Sequence, residues 1–205
     1  MIIQRKPTVT DEVLPVIDDS TENSDQNISS SDYMVAFSGN TTNYCIGLVD
    51  MVNSTKIAST IGNGKIPTYY EIFLNSMSKI LSRFGGFVIK NVGDCLVYYF
   101  PESSKSNRKY GFMSCLECSL AMIEYHDTIC KRLNKEGLPC VDYRISADYG
   151  SVVLMKSNNS ESVDMIGPPV NMCSKINHAA MTNGAVMGET FIPWYTNLGI
   201  TSLRK

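Results

Sequence analysis

Apolar positions recur along the chain in two periods, and the switch between them marks out the elements. Tyr44-Cys-Ile-Gly-Leu-Val-Asp50 is an almost unbroken apolar run, the pattern of a buried central strand, and it ends on a carboxylate. Phe87–Phe100 holds two further apolar runs around a polar tip, Asn91-Val-Gly-Asp94, which predicts a hairpin. Between these segments Tyr69, Phe73, Met77, Ile80 and Phe84 recur at helical spacing, with Tyr70, Leu74 and Leu81 beside them, until Gly85-Gly86 stops the helix. A second helical stripe runs from Phe112 through Cys115, Leu116, Met122, Ile129 and Leu133, and Gly137-Leu-Pro139 ends it. A short helix is expected over 53–61, with Ser54 and Thr55 as capping residues, and a polar loop over 101–108. Val141–Lys156 predicts a long strand, followed by a turn at Ser157–Ser162 and a short strand at Val163–Ile166. Gly167-Pro-Pro169 breaks that strand, a helix follows over Asn171–Met181, and Ala185–Gly188 forms a last strand. The resulting order, β-α-α-β-β-α-β-β-α-β, predicts an α+β fold: helices packed on a mixed, largely antiparallel sheet.

Composition narrows the class. The 205 residues suit one domain with a sizeable core, at 43% hydrophobic and 19% charged. Residues 1–33 are polar, with a Ser/Asp/Asn-rich centre, and predict a disordered tail or linker ahead of a domain at 34–205. The net charge is −2 with no basic tract, which argues against nucleic acid as a partner. No apolar run reaches the roughly 20 residues that span a bilayer, and the N-terminus lacks a signal peptide's hydrophobic segment. Seven cysteines, mostly inside apolar runs, favour packed, reduced thiols in a cytoplasmic protein over a disulfide framework. Cys115-x-x-Cys118 with His126 lacks the second ligand pair of a zinc site, and Cys115 and His126 fall in the core stripe.

The candidate chemistry lies where the apolar runs end. A carboxylate closing a buried strand is costly unless it is paired or holds a cation. Asp50 and the hairpin-tip Asp94 together suit one or two Mg²⁺ or Mn²⁺ ions, hard cations that take oxygen ligands. Backbone N–H groups of the following turn and helix start, over Met51, Val52, Asn53, Ser54 and Thr55, suit a polyphosphate. Arg144 and Asp148 share parity along one strand, which by itself implies a structural ion pair or an edge position.

Three motifs, Leu48-Val-Asp-Met-Val-Asn-Ser-Thr55, Ile89-Lys-Asn-Val-Gly-Asp94 and Val163-Asp-Met-Ile-Gly-Pro-Pro-Val-Asn171, occur in that order. With Arg144-Ile-Ser-Ala-Asp-Tyr-Gly150 they make the chain resemble the class III nucleotidyl cyclase catalytic domain from about Asn43 to about Glu189. The resemblance implies a ferredoxin-like cyclase core, with two metal ions on Asp50 and Asp94 and a loop at Met51–Thr55 around the triphosphate. It implies that Lys90, three residues before the hairpin glycine, and Asp164, seven before Asn171, read the base. A carboxylate and an ammonium match the donor and acceptor of adenine, so ATP is the implied substrate and cyclic AMP with pyrophosphate the products. It further implies that Asn171 orients the ribose and that the site forms between two chains of a head-to-tail homodimer.

Two departures qualify the resemblance. The family's transition-state arginine corresponds to Lys175, which keeps the charge but loses the bidentate fork. The family's final hairpin, with its phosphate-binding lysine, has no counterpart before Leu203-Arg-Lys205, so Arg204 or Lys205 is the substitute, the hairpin is absent, or the chain is truncated. The alternative to an adenylate cyclase is therefore a cyclase-homology domain of low or no activity, serving as a nucleotide-binding regulatory or dimerisation module. A diguanylate cyclase would need a Gly-Gly-Asp/Glu-Glu-Phe signature, which Gly93-Asp94-Cys-Leu96 does not supply.

Overall fold

A computed structural model describes residues 35–157 and 163–193. Six strands form one sheet in the order β2-β3-β1-β4-β5, with β6 also on β4. They are β1 (Val35–Met51), β2 (Phe87–Val92), β3 (Cys95–Phe100), β4 (Tyr143–Ser157), β5 (Val163–Ile166) and β6 (Gly184–Met187). Every pairing is antiparallel except β4 with β6, so the sheet is mixed as expected. Five helices complete the order: α1 (Ser54–Ile61), α2 (Ile66–Arg83), α3 (Arg108–Glu124), α4 (His126–Lys135) and α5 (Pro168–Asn177).

The apolar run in β1 is continuous because both faces of the sheet are covered there. Cys45, Val49 and Met51 point into a core shared with Tyr69, Phe73 and Met77 of α2, Phe112 and Met122 of α3, and Ile129 and Leu133 of α4. Tyr44, Ile46 and Leu48 point the other way, into a smaller core with Val97, Tyr99, Val152, Leu154, Met165 and Cys173 of α5. Asp50 shares their parity, so its carboxylate belongs to the face that α5 covers. Gly47 is required by packing: a Cβ there would lie 2.1 Å from the Tyr98 ring, which is fully buried against β1.

Several elements differ from the sequence expectations. The second helical stripe is two helices, because the backbone at Tyr125 (ψ −3°) swings the chain between α3 and α4 while the apolar face continues. The expected polar loop after the hairpin contains a 3₁₀ turn at Pro101–Ser104, whose buried Ser103 hydroxyl accepts the Cys45 N–H at 2.7 Å. Helix α5 starts at the two prolines instead of at Asn171, since a proline in the first turn gives up no hydrogen bond. Arg144 and Asp148 are neither ion-paired with each other nor on an edge. β4 is interior, Arg144 lies opposite Asp50, and Asp148 accepts the Thr190 hydroxyl at 2.5 Å. The cysteines are not all free thiols: Cys130 and Cys140 form a disulfide, while Cys45, Cys95, Cys115, Cys118 and Cys173 remain free. The Ser157–Ser162 turn extends outside the described residues, as do the tail before Val35 and the Leu203-Arg-Lys205 end.

Candidate active site

Asp50 and Asp94 are brought together by strand pairing. Asp50 lies opposite Cys95, the first residue of β3, and Asp94 immediately precedes it. The two-residue tip between Val92 and Cys95 has Gly93 at φ 62°, a left-handed value that glycine adopts at no steric cost. Burial pushes the Asp50 carboxyl above its usual range, and the charge of Asp94 adds to the rise; His178 and Arg144 pull it back down. A half-buried carboxylate raised by burial and by a second carboxylate beside it fits a divalent oxygen-liganded cation, whose charge would offset both the repulsion and the desolvation.

A second pair links the two ends of the strand order. Lys90 Nζ donates to Asp164 Oδ2 at 2.5 Å, joining the hairpin arm β2 to strand β5 across 74 residues of sequence. Asp164 Oδ1 also accepts its neighbour Met165 N–H at 2.7 Å, which fixes the carboxylate's orientation. Cys95 registers both groups: its thiol is pushed to about 12 by burial first, then by Asp50 and Asp94, with Lys90 acting in the opposite direction. Asp50, Asp94 and Lys90 thus all act on Cys95.

The turn after β1 divides into used and open backbone groups. Met51 is buried in the core and lies opposite Tyr143 in the sheet, and Val52 N–H donates to Asp142 O at 2.8 Å, so the Val52 N–H is already taken. Asn53 adopts a left-handed backbone (φ 57°) and is the N-cap of α1, in place of Ser54 or Thr55, but no side chain caps the helix. The α1 start over Ser54 and Thr55 therefore keeps its leading N–H groups without an intrahelical partner, as at any uncapped helix N-terminus. On α5, Asn171 and Lys175 are both exposed at i, i+4 spacing; the Asn171 N–H donates to Gly167 O at 3.3 Å, while neither side chain bonds to a described residue. Two neighbours of Asp50 escaped the sequence reading. His178 follows α5, and Arg144 is buried at Nε without a hydrogen-bond partner among the described residues. The shared parity of Arg144 and Asp148 was a signal, but only strand register shows that Asp50 is what Arg144 faces.

The arrangement is that of a nucleotidyl cyclase domain. Residues 38–197 match the family described as the adenylate and guanylate cyclase catalytic domain, and the chain belongs to that family. It is similar to a cytidylate cyclase of Staphylococcus aureus, 26% identical over 161 residues covering 73% of this chain and 37% of that protein. It is also similar to an adenylate cyclase of Anabaena cylindrica, 24% identical over 129 residues, 62% of this chain and 25% of that protein. The chain thus spans about a third or less of the length of these relatives. Its fold resembles the crystal structure of the adenylyl cyclase CyaB from P. aeruginosa, with a TM-score of 0.71 at 18% identity over 78% of this chain and 83% of that one. Among the described residues no helix is long and apolar enough to cross a membrane.

Proposed function

We propose that this domain converts ATP into 3′,5′-cyclic AMP and pyrophosphate. The observation that carries the reading is the Lys90–Asp164 pair, held at 2.5 Å in a chain that also bears the Asp50/Asp94 carboxylates. Adenine offers an acceptor at N1 and a donor at its exocyclic amine, and Lys90 and Asp164 supply the complementary donor and acceptor. Guanine reverses both groups and would leave the ammonium facing an N–H. Asp50 and Asp94 would hold Mg²⁺ or Mn²⁺, two ions per site, and when bound these supply positive charge to the triphosphate and acidify the ribose 3′-hydroxyl. The uncapped N-terminus of α1 directs the N–H groups of Ser54 and Thr55 toward phosphate oxygens. Asn171 holds the ribose, and Lys175 places a positive charge near the α-phosphate as charge builds there. The 3′-oxygen forms a bond to the α-phosphorus, the bond to the bridging oxygen breaks, the hydroxyl proton leaves to solvent, and pyrophosphate departs.

A head-to-tail homodimer completes the site, with Asp50 and Asp94 from one chain and Lys90, Asp164, Asn171 and Lys175 from the other. Support comes from the exposure of Asn171 and Lys175 and of the neighbouring Met172, 41% exposed on α5.

A second reading, CTP as substrate, is favoured by the similarity to the cytidylate cyclase. Cytosine presents the same donor and acceptor, at its 4-amine and N3, so Lys90 and Asp164 suit either amino base. Incubation of the purified chain with ATP, CTP or GTP in Mn²⁺ and then Mg²⁺, with products read by mass spectrometry, tests both. Cyclic AMP from ATP, lost in Asp94→Asn, supports the first reading; cyclic CMP as the main product moves the assignment to CTP. Nucleotide binding without cyclic product would sink both and leave a non-catalytic binding or dimerisation module, consistent with lysine at position 175.

A further inference from the structure

Outside the nucleotide face, four metal-ligating side chains converge where α4 and the segment leading into β4 meet. His126 opens α4, Cys130 follows one turn later on the same side, Cys140 lies in the connection, and Asp142 immediately precedes β4. The His126 Nε2 atom is 3.6 Å from Cys130 Sγ and 3.7 Å from Cys140 Sγ. It is also 3.7 Å from Asp142 Oδ1. The nitrogen and the two sulfurs all lie within 4.8 Å of one another. In this structure the two sulfurs are joined as a disulfide.

A disulfide accounts for the two cysteines and for nothing else in the cluster. It has no use for a histidine equidistant from both sulfurs, with the Asp142 carboxylate, which also accepts the Asn183 amide at 2.7 Å, 3.7 Å from the same ring nitrogen. Zinc has a use for all four. With Zn–S near 2.3 Å and Zn–N near 2.0–2.1 Å, a tetrahedral site sets nitrogen and sulfur about 3.6 Å apart, which is the spacing His126 already keeps to each sulfur. The far side of the ring is prepared as well: Nδ1 is 3.4 Å from Asp127 Oδ1, the carboxylate–histidine arrangement that orients a metal ligand.

We propose that the reduced chain binds one Zn²⁺ through His126, Cys130, Cys140 and Asp142. A thiol or phosphine reductant supplies two electrons and solvent two protons, and the Cys130–Cys140 bond opens to two thiols. Zinc then displaces both thiol protons to solvent. In the disulfide form His126 Nε2 is 3.0 Å from the Val141 carbonyl and donates its proton there. Zinc binding moves that proton to Nδ1, where Asp127 accepts it. Four protein ligands leave no open position, so the site is structural. It ties α4 to the start of β4, where Asp142 O receives the Val52 N–H at the turn that follows Asp50. The proposal stands independently of the nucleotide reading.

The test uses the whole chain, reduced with a phosphine under anaerobic conditions and loaded with Zn²⁺ or Co²⁺. One zinc per chain by elemental analysis is expected, and cobalt should give thiolate charge-transfer absorption with the visible bands of a tetrahedral ion. Cys140→Ser, at an exposed position, should lose both signals while keeping its circular dichroism, and His126→Gln should lose the tetrahedral bands. Asp127→Ala should weaken zinc binding about 10–100-fold. The Asp50→Asn/Asp94→Asn double variant should retain the zinc. Zinc uptake by the reduced parent no greater than that of Cys140→Ser, uptake lost with the Asp50/Asp94 variant, or a disulfide that survives the phosphine would each overturn the proposal.

Discussion

Asp50 is the residue whose chemistry and stability pull in opposite directions. In the folded chain its carboxyl titrates above its ordinary value of 3.8, chiefly through burial and then through Asp94. A raised carboxyl means that the native chain holds the proton more tightly than the unfolded one. Stability therefore falls as pH rises from about 3.8 through the folded value, and the deficit persists at neutral pH. In metal-free buffer at pH 7, Asp50→Asn should melt above the parent, the gap closing on acidification, whereas Mn²⁺ should stabilise the parent alone. A lower melting temperature for the variant would show that Arg144 and His178 more than offset the penalty. Lys90 carries a different kind of prediction. Lys90→Ala removes a charged hydrogen bond to the base and exposes Asp164, a loss of roughly 1.5–3 kcal/mol, or about 10- to 150-fold in kcat/KM for the preferred nucleotide. An unchanged ratio between amino-base and oxo-base nucleotides would remove Lys90 from base reading. Both residues were visible in the sequence as charges at the ends of apolar runs. Arg144 was visible only as a strand charge and His178 not at all, because what they face depends on strand register and on where α5 ends.

At the scale of elements, periodicity carried most of the information, and local backbone geometry decided the rest. Helix α2 and the β2–β3 hairpin follow the apolar pattern closely, since each buries the stripe that the sequence displays. The α3–α4 break leaves no mark on that stripe, because a swing at Tyr125 keeps the same apolar face on the sheet. Capping at α1 also shifted by a residue: Asn53, itself a favoured N-cap type, takes that position in a left-handed conformation, and Ser54 and Thr55 fall inside the helix. The close approach of Tyr98 to β1 is another feature no periodicity reveals. Gly47→Ala would drive a methyl into that ring, and overpacking of this kind costs about 1–3 kcal/mol. A chain of this size should then melt several degrees lower, at about 2–4 °C per kcal/mol, which calorimetry would detect. An unchanged melting temperature would mean that the Tyr98 ring moves aside freely.

For the whole molecule, the question is whether one chain or two make the site. Each chain carries the acidic pair, the Lys90–Asp164 pair and the exposed Asn171 and Lys175. If the pairs act across a dimer, an Asp50→Asn chain mixed with an Asp164→Ala chain should regain activity through heterodimers holding one intact site. In the absence of subunit bias, half the dimers would be hetero, and activity near a quarter of the parent's is expected. A mixture as inactive as either variant under exchange conditions would rule out shared sites. By itself the sequence determined the element order apart from the α3–α4 break, the mixed α+β class, the acidic pair and the cyclase resemblance. These are written in local periodicity and in short motifs, which survive without knowledge of what packs where. Only the tertiary structure decided that Lys90 meets Asp164, that Arg144 lies opposite Asp50, and that His126 sits between Cys130 and Cys140. The physical reason is the same in each case. Such contacts join residues that are distant along the chain or separated by a loop of no fixed period, and sheet register and helix placement set them.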